Sequence, residues 1–333
     1  MTKNSEVLLA SRPSGMSDLS NFSIREAKMP APKEGEVLLK TLYLSVDPYM
    51  RGRMRDAPYF VEPFQINQPL SGGIVAEVVE SKSPDLKKGD IVQGMLPWSN
   101  YSVSATKELQ KVDPKLGPVS TALGVLGMPG MTAYFGLLED GKPKKGETVV
   151  VTSAAGAVGS IVGQIAKIQG CRVVGVVGSD EKASFITKEF GFDAAINYKK
   201  PNYFEDLKKA CPNGVDVFFD NVGGEISDRI FQLINEHARV VVCGQISQYN
   251  TDKPDMGPRL LWTILTKTAT VKGFMVFDYS DERYNKGVLQ MADWIKQGKI
   301  KYKENIISGI ENAPKAFIGL FKGENIGKQL VKA

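Results

Sequence analysis

The sequence predicts an α/β protein with two textures, a mostly antiparallel β domain followed by a parallel, doubly wound sheet. Three observations predict it. Residues 1–126 hold short strand-like runs broken by Gly and Pro. From residue 127 onward, six apolar strand segments alternate mostly with helix-length stretches. The chain has 333 residues, enough for two ordinary domains. It is 42% hydrophobic and 24% charged, so it can bury a core without staples.

In the first domain Glu36–Leu44, Gly72–Glu80 and Asp90–Gly94 read as strands, with turns at Pro30-Ala31-Pro32, Lys87-Lys88-Gly89-Asp90 and Pro97. The six later strands are Thr148–Thr152, Arg172–Val177, Ala194–Asn197, Val215–Asp220, Arg239–Cys243 and Thr270–Phe274. After the first of these, Val158, Ile161, Val162, Ile165, Ala166 and Ile168 repeat at the helical period, and Gly170 stops the helix. A later helix carries Val288, Met291, Ala292 and Ile295 on one face and ends at Gly298. Asn312 is placed to cap a helix bearing Ala316, Phe317, Leu320 and Phe321, closed by Gly323. The final run, Lys328–Lys332, has no partner in the six-strand count and is expected to rejoin the first domain. The domains are therefore drawn as 1–126 with 298–333, and 127–297.

The rare residues exclude several chemistries. Cys171, Cys211 and Cys243 are at least 32 residues apart, and His237 is the single histidine. No CxxC, HExxH or Cys-His cluster exists, so no thiolate or imidazole metal site is expected. A hydrolytic triad would have to use His237 as its base. Three scattered cysteines suit a reducing compartment, and no signal peptide or 18-residue apolar run is read, so a cytoplasmic protein is expected. Net charge is 42 − 37 = +5, with basic pairs spread out rather than clustered. That reads as a solvated surface and not as a nucleic-acid track, with room for an anionic small ligand.

One turn carries chemistry. The strand Thr148–Thr152 runs into Ser153, Ala154, Ala155, Gly156, Ala157, Val158 and Gly159 and then a helix. This is GxGxxG with Ala154 in the first glycine position. Gly156 lets backbone approach a pyrophosphate, Gly159 lets helix and sheet pack, and the helix N-terminus supplies N–H groups and partial positive charge. The strand–turn–helix context is what makes the motif a dinucleotide site. The second strand ends in Gly178-Ser179, without the acid that would accept from NAD ribose hydroxyls. Acids follow at Asp180 and Glu181, where the helix start explains them. Gly178 leaves room, Ser179 can donate and Lys182 offers a cation, which favours NADP(H); a solvated Lys182 is the alternative.

The segments Ser45–Arg51 (SVDPYMR), Leu126–Tyr134 (LGMPGMTAY), Ala154–Gly159, Asp220–Gly224 (DNVGG) and Gly323–Lys328 (GENIGK) together resemble the zinc-independent medium-chain dehydrogenase/reductases. Within them the chain looks like the group of prostaglandin reductases, leukotriene B4 12-hydroxydehydrogenases and NADPH-dependent alkenal and curcumin reductases. The resemblance covers nearly the whole chain. It implies a GroES-like catalytic domain, rejoined by the C-terminal segment, with a Rossmann domain inserted and the cofactor in the cleft. It also implies that Lys182 and Tyr198 contact the 2′-phosphate. Asn221, the loop from Cys243 through Gly244, Ile246 and Ser247 to Tyr249, the segment from Phe274 through Val276 to Phe277, and Asn325 lie at the cofactor. A homodimer joined through the sixth strand is implied too.

Members of this group reduce the carbon–carbon double bond of an α,β-unsaturated aldehyde or ketone by hydride transfer from NADPH to the β-carbon. Charge develops on the carbonyl oxygen and needs a donor. Tyr49, Tyr59 and Tyr249 are the candidate donors, beside the cofactor's ribose hydroxyl; packing is the competing role for each. Tyr249 opens a turn-rich stretch, Thr251–Pro258, that could act as a lid. Some relatives place a tyrosine shortly before the sixth strand, whereas this chain has none between Thr251 and Asp278. A quinone reductase of the same superfamily, a non-catalytic NADPH-binding sensor and a metal-free alcohol dehydrogenase are the competing readings. His237, in the turn before the fifth strand, reads as structural, and Cys243 as packing rather than a reactive thiol. Asp47 and Arg51 read as setting the loop. Arg53 and Arg55 either attract an acidic substrate or are solvated.

Overall fold

The computed structural model describes residues 4–57, 60–279 and 281–333. Strands are β1 (Asn4–Leu9), β2 (Phe22–Ala27), β3 (Glu36–Ser45), β4 (Ser71–Ser81), β5 (Ile91–Pro97), β6 (Tyr101–Ala105), β7 (Gln110–Lys111), β8 (Thr148–Thr152), β9 (Arg172–Val177), β10 (Ala194–Asn197), β11 (Val215–Asp220), β12 (Ile234–Val242), β13 (Thr270–Gly273), β14 (Glu304–Ser308) and β15 (Lys328–Lys332). Helices are α1 (Met50–Arg53), α2 (Met128–Phe135), α3 (Gly159–Ile168), α4 (Asp180–Phe190), α5 (Tyr203–Ala210), α6 (Gly224–Phe231), α7 (Leu261–Thr266), α8 (Asp281–Lys296) and α9 (Ala313–Lys322).

The chain forms two compact units. One holds the residues up to Leu123 with Glu304–Asn325 and Gln329–Ala333; the other holds Gly124–Lys303 and Ile326–Lys328. The second division falls at Lys303, a few residues past Gly298, because Lys301 is tied to α3. Its N–H donates to Gln164 Oε1 and its carbonyl accepts from Gln164 Nε2, at 2.8 and 2.9 Å.

In the first unit the main sheet runs β14-β15-β3-β4-β5-β7, with β6 also on β3. β15 joins β3 antiparallel, Leu330 opposite Ser45, so the C-terminal run does rejoin the first texture. The core gathers Leu39, Leu44, Met50, Phe64, Trp98 and Phe317. α9 brings Phe317 onto it, edge-on to Phe22 at 6.2 Å, and ends at Gly323 in the left-handed region. Asn312 does not cap this helix with its side chain. The amide turns back and donates to the Ser308 carbonyl at 2.8 Å. Pro314 in the first turn, with its fixed φ, presets the helix instead.

The second unit is a six-stranded parallel sheet in the order β10-β9-β8-β11-β12-β13. Every residue of β8 is buried, as expected of a central strand covered on both faces. Four of the six strands have the bounds read from the sequence. The fifth differs. β12 starts at Ile234, and its partner register on β11 jumps from Ile234 opposite Val215 to Arg239 opposite Val217. His237 sits in this bulge, inside the strand rather than in a preceding turn. It is exposed, at φ 59°, and its N–H donates to the Lys267 carbonyl at 2.7 Å. Extra residues in one strand kink the ladder this way. β13 is a sheet edge and all four of its residues are exposed.

Candidate functional site

β8 and β11 are neighbours, and the chain leaves them toward opposite edges of the sheet, β9 and β10 on one side and β12 and β13 on the other. This is the topological switch point at which open parallel sheets take ligands, beyond the carboxyl ends of the strands. The glycine turn lies there. Ala154 donates to the Val176 carbonyl at 3.1 Å and Gly156 to the Ser153 carbonyl at 2.9 Å, so the turn is held to β9 and to itself. A β-carbon on Gly159 would lie 2.4 Å from the Ser153 oxygen. Only a glycine lets α3 start this close to the strand end. Val158 makes no side-chain cap; the N–H of Ser160 donates to the Gly156 carbonyl and those of Ile161 and Val162 to the Val158 carbonyl, so the turn 156–158 itself closes the start of α3, where the helix dipole favours an anion. Ala154 and Ala155 are buried, while Gly156, Ala157 and Val158 keep partial exposure.

The end of β9 is built around Gly178. A β-carbon there would lie 3.3 Å from both Cε1 and the hydroxyl of Tyr198, so the Tyr198 ring lies across the bare backbone. The Ser179 hydroxyl caps α4 by accepting from the Lys182 N–H at 3.2 Å. Burial, and then the positive charge of Lys199, push the Lys182 ammonium below its ordinary pKa. The charge of Glu181 acts the other way and is the smallest of the three, so half-buried Lys182 beside the exposed Lys199 makes a place for an anion. Asp180 does not oppose this. Lys200 pairs with it at 2.8 Å and Asn197 donates to it at 3.0 Å, and these bonds hold its carboxyl below the usual range.

At the switch point the organising residue is one the sequence reading passed over. Asp220, 2% exposed, closes β11. Its carboxylate accepts from Thr152 Oγ1 (2.9 Å), Ser227 Oγ (2.5 Å), Gln245 Nε2 (3.2 Å) and the N–H groups of Val222 (2.9 Å) and Gly223 (3.1 Å). Thr152 in turn accepts the Asn221 N–H at its hydroxyl and the Asn221 Nδ2 at its carbonyl, both at 2.8 Å. Cys243 and Gly244 donate from the next strand to the Asp220 carbonyl, at 2.8 and 3.1 Å. Ile246 and Ser247 donate to the carbonyls of Asn221 and Val222. The structure thus brings together Asn221, Cys243, Gly244, Ile246 and Ser247 at the carboxyl ends of β11 and β12. Two signals were readable, Asp220 inside the quoted DNVGG segment and a polar Thr152 closing an all-apolar strand.

Burial and then Asp220 push the Cys243 thiol up to about 12, which leaves it protonated and inert at neutral pH. Tyr249 folds over the same turn. Its hydroxyl accepts from the Gln245 N–H at 3.4 Å and lies 3.3 Å from where a Gly244 β-carbon would be. Burial raises its pKa, so it stays a donor over the physiological range.

Other sequence candidates have different surroundings. Phe274 points its ring at Gly136 and packs edge-on to Phe219 at 6.3 Å, and Val276 is buried. Tyr49, in the first unit, packs on that unit's core and lies 6.1 Å from the Phe60 ring. Asn325 belongs to the first unit, and Tyr59 lies outside the described residues. Arg53 is buried rather than solvated. It donates to the carbonyls of Glu62 and Ser71 and lies 4.0 Å over the Phe64 ring. Arg51 holds the Pro13 and Gly15 carbonyls, and Asp47 accepts from Ser45. Among the described residues no group of three or more His, Cys, Asp or Glu is placed to hold a metal ion.

Comparison with known proteins matches residues 5–112 to an N-terminal domain of oxidoreductases and residues 157–294 to a domain described as zinc-binding dehydrogenase. The NADPH-dependent curcumin reductase of Escherichia coli is 45% identical over 334 residues, covering 99% of this chain and 97% of that protein. The NADP(+)-dependent 2-alkenal reductase of Nicotiana tabacum is 44% identical, covering 98% and 97%. The crystal structure of CurA from Vibrio vulnificus in complex with NADPH is 44% identical over 99% of both chains, with a TM-score of 0.94. A GroES-like antiparallel unit, a Rossmann sheet and near-full-length identity at this level leave one assignment: the chain belongs to the zinc-independent medium-chain dehydrogenase/reductases, in the group of the prostaglandin, alkenal and curcumin reductases.

Proposed function

We propose that this protein uses NADPH to reduce the carbon–carbon double bond of α,β-unsaturated aldehydes and ketones. The observation that carries the cofactor choice is the end of β9. β9 runs into Gly178 and Ser179 rather than into the acid that would accept from NAD ribose hydroxyls, and Lys182 and Tyr198 beside them suit a 2′-phosphate. The rest of the site fits the same group. A pyrophosphate suits the positive end of α3, where no side chain caps the helix, and Gly159 removes the β-carbon that would push the helix away. The names of the relatives, curcumin reductase and 2-alkenal reductase, support the substrate class.

In this reading Lys182, Ser179 and Tyr198 hold the phosphate. Residues 154–159 hold the pyrophosphate. Asn221, Cys243, Gly244, Ile246 and Ser247 present backbone and short side chains to the nicotinamide half, with Phe274, Val276 and Asn325 assigned to it by resemblance. NADPH, when bound, supplies the hydride that goes to the β-carbon. The protein must then stabilise charge at the carbonyl oxygen, where one donor is typically worth about 10²–10³ in rate. Tyr249 is the donor best supported by its surroundings, since it is neutral and sits on the Gly244–Gln245 backbone. Tyr49 and Tyr59 are the further candidates.

A homodimer through β13 is part of the proposal. That edge strand is exposed, and the preceding α7 exposes Leu261 (79%), Trp262 (72%) and Leu265 (67%), a patch that pairing of two copies would cover. The compartment inferred is the cytoplasm, where three free cysteines are stable. Reduction of an enone with NADPH deuterated at C4 tests the chemistry. Deuterium at the β-carbon of a saturated carbonyl product is expected. Deuterium on a carbinol carbon, or a quinol product alone, contradicts the proposal.

A further inference from the structure

Asp220 is a buried carboxylate whose nearest partners are all neutral donors. Its two oxygens divide the work. Oδ1 accepts from Thr152 on β8 and from the Val222 and Gly223 N–H groups of its own turn. Oδ2 accepts from Ser227 on α6 and from Gln245, three residues past the end of β12. Charged acceptors make stronger hydrogen bonds than neutral ones, roughly twofold, and a network that satisfies every member is rigid. Burying a carboxylate costs free energy that apolar packing would not. An apolar side chain of comparable size, such as valine, would fill the end of a central strand without that cost, so the charge calls for a role beyond filling space.

What the carboxylate holds is the backbone that the proposed cofactor site uses. Through Thr152 it sets Asn221, which Thr152 grips at both its N–H and its amide. Through Gln245 it sets the turn 243–247, whose Gln245 N–H also meets the Tyr249 hydroxyl. Gln245 is locked from its other side, since its Oε1 accepts from Gln248 Nε2 at 3.3 Å and its Nε2 also meets the Gly244 carbonyl at 3.1 Å. Gly223, at φ 73°, leaves room for this amide, because a β-carbon there would lie 2.1 Å from Gln245 Oε1.

We propose that Asp220 is the positioning residue of the cofactor site: its carboxylate clamps the ends of β8, β11 and β12 so that Asn221 and the turn 243–247 stand ready before the cofactor arrives. The inference rests on the NADPH reading and deepens it. It makes the donor–acceptor polarity of the Asp220–Gln245 pair, and not the bulk of either residue, the quantity that matters. The pair is tested by reversing it. Asp220→Asn turns Oδ2 into a donor facing the Gln245 amide donor. Gln245→Glu places two carboxylates together. The double variant restores one donor and one acceptor in exchanged positions.

The experiment measures NADPH dissociation constants by cofactor fluorescence at low temperature, with each variant shown folded by circular dichroism, and steady-state KM and kcat with an enone. Each single variant is expected to bind NADPH about tenfold more weakly, the order of one charge-assisted hydrogen bond. The double variant is expected to return to within about threefold of wild type. The loss should appear in the NADPH KM, with kcat at saturating NADPH changed far less. Gln245→Met removes the amide while leaving the buried carboxylate and the strand core untouched, and severalfold weaker binding is expected even if Asp220→Asn does not fold. Wild-type affinity in Asp220→Asn or in Gln245→Met, with only the melting temperature lowered, overturns the inference and leaves the NADPH reading intact. So does a double variant no better than the singles. A wild-type protein that does not bind NADPH overturns the reading itself, and the inference with it.

Discussion

The Gly327 N–H donates to the Ala155 carbonyl at 2.7 Å, and Gly327 bridges Gly156 in parallel. A segment from the far end of the chain therefore braces the glycine turn from outside. Gly327 has φ 74°, and a β-carbon there would lie 2.0 Å from the Lys303 carbonyl oxygen. Gly327→Ala is expected to cost about 1–3 kcal/mol from backbone strain alone, with displacement of Lys303 added. Thermal denaturation should show a melting temperature lower by several degrees, and NADPH affinity should fall with it. A variant with unchanged melting would show that the brace carries no strain.

Lys182→Ala should raise the NADPH KM about tenfold to a hundredfold, the worth of a charged hydrogen bond of about 1.5–3 kcal/mol. The NADH KM should hardly change. Equal effects on the two cofactors would mean that Lys182 does not meet the phosphate.

The same lysine gives a pH signature. Burial and Lys199 lower its pKa in the free protein. A phosphate dianion beside it favours the charged form and raises the pKa again. Binding of NADPH therefore takes up protons between the two pKa values, and its affinity is full below the free-protein pKa and is lost as pH rises from there through the higher pKa of the bound form. As pH rises past the lowered free-protein pKa of Lys182, the dissociation constant should rise for NADPH more than for NADH. Parallel curves for the two cofactors would contradict this.

Cys243 should resist alkylation. With the thiol pushed up to about 12, roughly one molecule in ten thousand carries the thiolate at about pH 8. Iodoacetamide at that pH should leave activity intact, and peptide mass mapping should find Cys243 unmodified. Rapid modification with loss of activity would show that the turn opens.

Trp262→Asp places a charge in the exposed patch on α7. If two copies pair along β13, sedimentation should shift from dimer to monomer, since burying an unpaired charge at an interface is costly. An unchanged sedimentation coefficient would place any interface elsewhere.

The Rossmann sheet was legible because parallel strands read as short apolar runs and α3 as an uninterrupted 3.6-residue period. The NADPH features at Gly178, Ser179 and Lys182 were legible because a missing acid is visible in a sequence. What was not legible depended on partners distant along the chain. Asp220 looked like a strand terminator until Thr152 and Gln245 came to it in space. Gly327 looked like part of a family segment until it met Ala155. The bulge that carries His237 is invisible to periodicity, because extra residues in one strand are specified by its partner register. Arg53 resembled a surface charge because its acceptors are backbone carbonyls, which every sequence offers equally.

The central claim is the pairing of NADPH with an activated carbon–carbon double bond. NADPH consumption against a panel of enones, alkenals and quinones, with NADH in parallel, tests it most directly. The account predicts turnover of enones and alkenals to saturated carbonyls, strongly preferring NADPH. Turnover of quinones alone, or tight NADPH binding with no turnover of any acceptor, would contradict it.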